Sequence, residues 1–418
     1  MRKAIRFYFK TQMGAFAILL IGLLQATARP ALYFYPSAHR LSDGSVVHSP
    51  ITVEPWQITT GFPEIKEMAG VALIVYWSRM CPAENRCDYS LIDKVLSYWR
   101  ARGKKVVLGV ATVGFPLRTI RDGAVTYEGA TPAWVLARVS HYTAHSRVLD
   151  IAGSTKKIAA EYPSYNDPRF VAFVKGLVKS LAVRYDGNPA IAQLRISTGL
   201  TTEDNPSVDG LRSPMPGFTD SMWIRFCRTI TDIYIDSFKH TILEFDVGRI
   251  SWSLAGWNAE GEKIIRNNQE TMREARQFFE YLLKQQIFLA FNGLSDETQP
   301  LLPDSKETQN GVTRSLHLLI QAKHHRLPVG LEAMSPVYAP RMRNIGAIGQ
   351  VVCYIDPDRL IFFATLPSLI DYERHGKSTK NQLSLQAFKP ARIAELARQA
   401  DDLLRVTDTE KYCTGGGR

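Results

Sequence analysis

Two glutamates in this chain stand where a carboxylate needs a reason to be. Glu203 lies in LRISTGLTTEDN, residues 194–205, where an apolar, β-branched run reaches a glycine and gives way to small hydroxyl and amide residues. That change of composition marks a strand that has just ended. Glu332 lies in PVGLEAMS, residues 328–335, flanked by Leu331 and Ala333. An unpaired carboxylate inside such a strand is costly, so Glu332 must face a polar cavity or a cation. Arg195, within the first stretch, is the candidate cation, for the site or for a structural pairing. Two carboxyl groups can divide acid and base work if their surroundings set their proton affinities apart. The plain alternative for Glu203 is a solvated loop residue.

Whether the two glutamates meet depends on the elements that carry them. From Ala31 onward, short and continuously apolar runs alternate with longer segments of helical periodicity, the pattern of a parallel sheet covered by helices. Eight runs read as strands: 31–36, 70–78, 104–114, 191–200, 242–254, 287–295, 327–335 and 359–367. Helices are expected at about 62–69, 90–102, 168–186, 219–239, 269–284, 310–323 and 337–347. The clearest, DPRFVAFVKGLVKSLAVRYDGNP, has an Asp before its first Pro, apolar residues at helical spacing and a Gly past its end. Eight parallel strands point to an α/β fold, the (β/α)8 TIM barrel, spanning residues 29–408. A doubly wound open sheet is the alternative, but no glycine-rich phosphate loop follows the first strand. In a barrel, reacting groups project from the C-terminal strand ends. Glu203 then follows strand four and Glu332 lies in strand seven. Asp246 in strand five, and Asp296 with Glu297 after strand six, are the other carboxylates so placed.

The segment from about 115 to 167 exceeds a simple crossover and carries TPAWV and YPSYND, so it is expected to hold functional groups. Aromatic rings near strand ends could offer a flat apolar face to a ligand or simply pack the core. The candidates are Trp77, Trp134, Trp252 and Trp257, with Tyr76 and Tyr165. Asn292, in Phe291-Asn-Gly293, could bond a hydroxyl or serve a turn.

Composition narrows the class. With 45% hydrophobic residues and seven Trp the chain is a folded globular protein rather than a disordered one. The formal charge of +11 includes four basic residues among the first ten, leaving about +7 spread over the rest. No long basic block exists, so a nucleic-acid partner is not expected. The basic start, the apolar run MGAFAILLIGLL and the small-residue site Ala26-Thr-Ala28 read as a signal peptide over 1–28. An uncleaved anchor is the alternative. Export is expected either way, with no stable membrane association once the peptide is cleaved. Cys81 and Cys87, six positions apart, are expected to form a disulfide in an exported protein. Cys353 and Cys413 could pair, Cys227 is expected to be a buried thiol, and the tail 409–418 is expected to fray. No G-x-S-x-G elbow, phosphate loop or H-E-x-x-H is present. His141 and His145 lack a third ligand nearby, and no cofactor or metal is expected.

The stretches GFPEIKEMAGVALIVYWSRM, DYSLIDKVLSYWRARGKKVVLGVATVGFP and TPAWV together resemble the clan A glycoside hydrolases, and among them the family 42 β-galactosidases. The shared features are Trp77 at a strand end, Tyr89-Ser-Leu-Ile-Asp93, Gly103-Lys-Lys-Val-Val107 and Pro132-Ala-Trp134. The resemblance is close from about 60 to 205 and topological beyond. It implies a retaining two-glutamate mechanism on an oligo- or polysaccharide substrate, with an acid/base after strand four and a nucleophile in strand seven. Those places are held by Glu203 and Glu332. It also implies a substrate contact just before the acid/base, where the family has Asn and this chain has Thr202, whose reach is shorter. The rival reading is a non-catalytic carbohydrate-binding barrel.

Overall fold

The computed structural model describes residues 31–35, 38–40, 46–48, 68–121, 124–147, 157–206, 215–247, 269–294, 311–333, 351, 355 and 357–363. The expected signal peptide, the tail, the helix at 337–347 and the residues Trp252, Trp257, Asp296, Glu297, Cys353 and Cys413 lie outside the described residues.

Fourteen strands are described: β1 (Ala31–Tyr35), β2 (Ala38–Arg40), β3 (Val46–His48), β4 (Met68–Tyr76), β5 (Lys105–Ala111), β6 (Leu117–Arg121), β7 (Ala124–Glu128), β8 (His141–Arg147), β9 (Lys157–Pro163), β10 (Ile191–Arg195), β11 (Leu243–Asp246), β12 (Phe288–Leu294), β13 (Val329–Ala333) and β14 (Arg359–Phe363). Eight of them close a barrel of parallel strands in the order β1-β4-β5-β10-β11-β12-β13-β14, with β14 pairing back onto β1. Each barrel strand falls on one of the eight expected runs. The runs read as continuously apolar because both faces of such a strand are covered. Leu73, Val75, Val106, Leu108, Leu194, Phe245, Leu289 and Leu331 join the layer between sheet and helices, whereas Tyr33, Ala72, Ile74, Tyr76, Val107, Ala111 and Ile361 pack with one another in the bore.

The helices are α1 (Trp77–Met80), α2 (Ser90–Arg100), α3 (Ala133–Leu136), α4 (Pro168–Tyr185), α5 (Asp220–Ser237), α6 (Gln269–Lys284) and α7 (Gly311–His324). Asp167 caps α4, its carboxylate accepting from the Arg169 backbone N–H at 2.8 Å, and Pro168 opens the first turn. Phe170, Val174, Leu177 and Leu181 follow at helical spacing and are buried. The Thr219 hydroxyl caps α5 by accepting from Met222 N–H at 3.2 Å. Two expectations need correcting. Met68 and Ala69, expected in a helix, belong to β4, where Met68 pairs with Leu32. Trp77 and Ser78, expected in strand two, begin α1 instead. Among the described residues no helix is long and apolar enough to cross a membrane.

The long segment after β5 is built from two antiparallel hairpins, β6 with β7 and β8 with β9, separated by α3. His141 and His145 sit on a strand, not a helix, exposed on one face, while Tyr142, Ala144 and Ser146 are buried on the other. Cys81 and Cys87 are joined, with Cα atoms 4.0 Å apart, and the Cys81 carbonyl accepts from the Trp134 indole N–H at 3.0 Å. Cys227 is free and buried.

Candidate active site

The strand period of two turns alternate residues of β10 to β14 into the bore, and several of them are charged. Glu244 and Asp246 come from β11, Asn292 from β12, Glu332 from β13 and Arg359 from β14. Arg195, the last residue of β10, spans between strands: Nη2 donates to Glu332 Oε2 at 2.5 Å and Nε lies 3.1 Å from Glu244 Oε1. Arg359 Nη2 donates to Glu244 Oε1 at 2.9 Å, Nη1 donates to Glu244 Oε2, and Nη1 also reaches Gln193 Oε1 at 3.3 Å. Glu332, Arg195, Glu244 and Arg359 thus form one ladder of alternating charge, each residue no more than 4% exposed. Burial pushes the Glu244 carboxyl up, but Arg359 and then Arg195 outweigh it and hold it below the usual carboxylate range.

Glu203 reaches the site by a strained turn. Beyond β10 the chain runs on to Leu200, which bridges Val113 in parallel. It then folds back: Glu203 N–H donates to Leu200 O at 3.0 Å, and Gly199 N–H donates to Glu203 O at 2.8 Å. Leu200 N–H donates to Asn205 O at 2.9 Å, and Thr201 N–H donates to Val113 O at 2.9 Å. Thr201 and Thr202 adopt φ of 53° and 73°, a region β-branched residues avoid at a cost of about 1–3 kcal/mol each. The bonds on either side over-determine the turn and hold it there.

The turn leaves Glu203 partly buried, with Oε1 accepting from Asn292 Nδ2 at 2.6 Å and from the Thr201 hydroxyl at 3.5 Å. Asn292 is the register partner of Glu332 on the neighbouring strand, so the residue that donates to Glu203 sits beside Glu332 in the sheet. Burial pushes the Glu203 carboxyl up to about 8, helped by the charges of Glu332 and Asp204 and opposed by Arg195 and Asn292. Asp246 is likewise held well above its usual range, first by burial and then by Asp204, Glu203 and Glu332. Thr202, expected to contact substrate, is 2% exposed, and its side chain is turned against Gly109 of β5.

The aromatic candidates lie elsewhere. Trp77 is 2% exposed in the outer core and offers no open face. Trp134 packs edge-on against Trp77 and Phe173, at 5.9 and 5.4 Å between ring centroids, which places it with the core rather than as a free platform. Tyr165 is buried against Trp223 and Phe226, and the Tyr76 hydroxyl donates to Phe115 O at 2.7 Å. The structure brings together Glu203, Asn292, Glu332 and Arg195 from the residues singled out in sequence. Glu244 and Arg359 escaped that reading. The signal was available for Glu244, a charged residue inside an apolar strand, the same argument that marked Glu332, whereas Arg359 opens β14 directly after Asp358. Among the described residues no cluster of three or more His, Cys, Asp or Glu side chains could hold a metal ion.

Residues 66–209 match the family model described as β-galactosidase, glycoside hydrolase 42. The resemblance is to glycoside hydrolases. The match covers β4 to β10 and the turn bearing Glu203, and it stops well short of Glu332. A β-galactosidase of Geobacillus kaustophilus is 25% identical over 151 residues, which is 34% of this chain and 20% of that protein. A second, from a Geobacillus strain, has the same figures. The matched stretch therefore spans a fifth of the length of these curated relatives. Among solved structures, the β-amylase catalytic domain of Paenibacillus polymyxa superposes with a TM-score of 0.46 at 11% identity, covering 71% of this chain and 85% of that one. A β-galactosidase of Bacillus circulans gives 0.43 at 11% identity, covering 82% and 53%. Likenesses this distant add nothing to the barrel seen in the sheet itself.

Proposed function

We propose that this protein is an exported glycoside hydrolase that cleaves O-glycosidic bonds with retention, Glu332 acting as nucleophile and Glu203 as acid/base. The observation that carries the reading is the unequal partnering of two carboxyl groups on the charged side of the bore, Glu332 of β13 and Glu203 of the turn after β10. Glu332 Oε2 accepts from the Arg195 guanidinium at 2.5 Å, which fixes the orientation of the attacking group. Glu203 is bonded to a neutral amide and held up to about 8, which favours the protonated, donating form at neutral pH.

In the first step a Glu332 oxygen attacks the anomeric carbon while the bond to the leaving oxygen breaks and that oxygen takes the Glu203 proton. The product is a glycosyl ester on Glu332. Esterification removes a negative charge beside Glu203, so its proton affinity falls as its base role begins. In the second step Glu203 takes a proton from water, the water oxygen attacks the anomeric carbon, and the Glu332 carboxylate leaves. Retention of this kind needs the two carboxyl groups about 5–5.5 Å apart. The names of the curated relatives make aryl β-galactosides the first substrates to try. Export is supported by the composition of residues 1–28 and by the Cys81–Cys87 bond, since such bonds persist in oxidising compartments. Cell fractionation with mass mapping of the mature N-terminus tests it; a cytosolic protein that keeps residues 1–28 would end the export reading.

The test of mechanism is chemical rescue. Glu203→Ala should lose several powers of ten on substrates with poor leaving groups, keep the first step on activated aryl glycosides, and give a glycosyl azide of retained configuration with azide. Glu332→Ala should abolish turnover of both, with azide giving the inverted product. One observation favours a second reading, a non-catalytic carbohydrate-binding barrel. Thr202 replaces the expected Asn and turns its side chain against Gly109. Sugar binding by the unmutated protein with no hydrolysis to be lost in either variant would decide for it.

A further inference from the structure

Two glycines show how much of the bore is given over to the buried ladder. A Cβ on Gly109 would lie 2.9 Å from Thr202 Cγ2 and 3.5 Å from Arg195 Cδ. One on Gly330 would lie 2.9 Å from Arg359 Nη2 and 2.9 Å from Phe288 Cε1. Each glycine is the register partner of its arginine on the adjoining strand, Gly109 of Arg195 and Gly330 of Arg359. β5 and β13 carry no side chain at these positions, which leaves room for Thr202 and the Arg195 stem beside Gly109 and for the Arg359 guanidinium beside Gly330. Buried ion pairs rarely stabilise a core better than apolar residues of the same volume, so stability alone does not account for this provision.

We propose that Arg195 is the positioning residue of the nucleophile: it pins Glu332 Oε2 and leaves Oε1 as the attacking atom, while Glu244 and Arg359 hold Arg195 from beneath. The inference rests on the hydrolase reading of Glu332 and revises the substrate-binding role expected for Arg195. The Arg195 side chain is 5% exposed, with Nη2 committed to Glu332 and Nε to Glu244. Glu244 is in turn gripped on both oxygens by Arg359, so Arg195 cannot swing away without leaving a buried carboxylate short of a partner.

The charged and titratable groups around Glu332 are Arg195 from β10, Glu203 and Asp204 from the following turn, Glu244 and Asp246 from β11, and Arg359 from β14. Elsewhere in the bore, β12 presents the neutral Asn292, β5 presents Gly109, β1 presents Tyr33 and β4 presents Ile74 and Tyr76. Within this crowd of carboxyl groups Arg195 bonds Glu332 and Glu244, and Glu203 bonds an amide. That choice of partner separates the nucleophile from the acid. Weakening it lets the Glu332 carboxylate turn away from the line of attack, so kcat must fall while KM is kept.

The experiment measures kcat and KM separately for 4-nitrophenyl β-galactoside in the unmutated protein, Arg195→Lys and Arg195→Met. Urea unfolding is measured in parallel for Arg195→Met, Glu332→Gln and the double variant. In Arg195→Lys, whose single ammonium cannot serve both carboxylates in the same geometry, kcat should fall at least tenfold. KM should stay within threefold, and Arg195→Met should lose more of kcat than Arg195→Lys. Unfolding constants of the double variant should depart from the product of the singles by at least tenfold. A kcat within threefold of the unmutated value while KM rises would make Arg195 a substrate contact and overturn the proposal. Coupling below threefold would overturn it with or without turnover, and if Arg195→Met does not fold, the Arg195→Lys and Glu332→Gln pair carries the same cycle. Strong coupling in a protein that hydrolyses nothing would sink the hydrolase reading and leave the hold of Arg195 on Glu332 standing.

Discussion

The two sides of the barrel bore are built on opposite principles. On the side of β1, β4 and β5, joined by Ile361 of β14, the inward residues are Tyr33, Ala72, Ile74, Val107 and Ala111, all buried and packed on one another. On the side of β10 to β13, joined by Arg359 of β14, they are Arg195, Glu244, Asp246, Asn292 and Glu332. Burying a large apolar side chain contributes about 1.5–3 kcal/mol, whereas a buried ion pair often does no better than break even against apolar residues of similar volume. The apolar side therefore supplies stability that the charged side draws on. Groups retained despite a cost to stability are the natural candidates for chemistry.

The largest expected effect on this contrast comes from breaking one rung. Arg359→Met leaves Glu244 bonded to Arg195 alone and should cost about 3–5 kcal/mol of unfolding free energy, read as a lower urea midpoint. Replacing the pair together, Arg359→Met with Glu244→Met, should recover most of that loss because no uncompensated charge remains. If the single variant costs under about 1 kcal/mol, the two sides do not differ as described.

The sequence displayed the two sides unequally, for physical reasons. Eight strands were legible because each is a continuous apolar run, and the run does not depend on knowing its partner. Glu332 was legible by the same token, as a charge out of place. Glu244 was equally out of place, yet its meaning is a pairing with Arg359 across 115 positions that no local pattern carries. The turn at Thr201 and Thr202 was hidden for a different reason: β-branched residues argue against positive φ, and only the closed hydrogen bonds around Val113, Leu200 and Asn205 enforce it. Asn292, legible only as a hydroxyl contact or a turn residue, instead donates to the carboxylate of Glu203. Trp77 and Trp134 misled because an aromatic at a strand end looks the same whether it faces sugar or core.

A smaller effect separates the sides by pH. Glu203 is held up to about 8, so between the ordinary carboxylate range and pH 8 the folded protein keeps a proton that the unfolded chain has released. Stability must fall as pH rises through that window and level off above it. Glu203→Gln should flatten part of the slope and gain stability at pH 8 relative to the unmutated protein, with Asp246, also raised, supplying the slope that remains. Urea midpoints at pH 5, 6.5 and 8 measure it; an unchanged slope would show that Glu203 is ionised throughout.

The smallest effect belongs to the apolar side and sharpens the contrast by lacking any pH dependence. Ile74 is 2% exposed and packs with Tyr33, Ala72 and Val107 in the bore. Ile74→Val removes one methylene, and its loss of transfer energy with the small void left behind should cost about 1 kcal/mol. No proton is bound or released in that change, so the cost should be the same at pH 5 and pH 8. The acidic limb of any hydrolysis should also stay where it was, because the ladder keeps all its rungs. A cost that grew with pH would mean that packing on the apolar side sets the separation of the charged groups, and the two halves of the bore would then have to be treated as one.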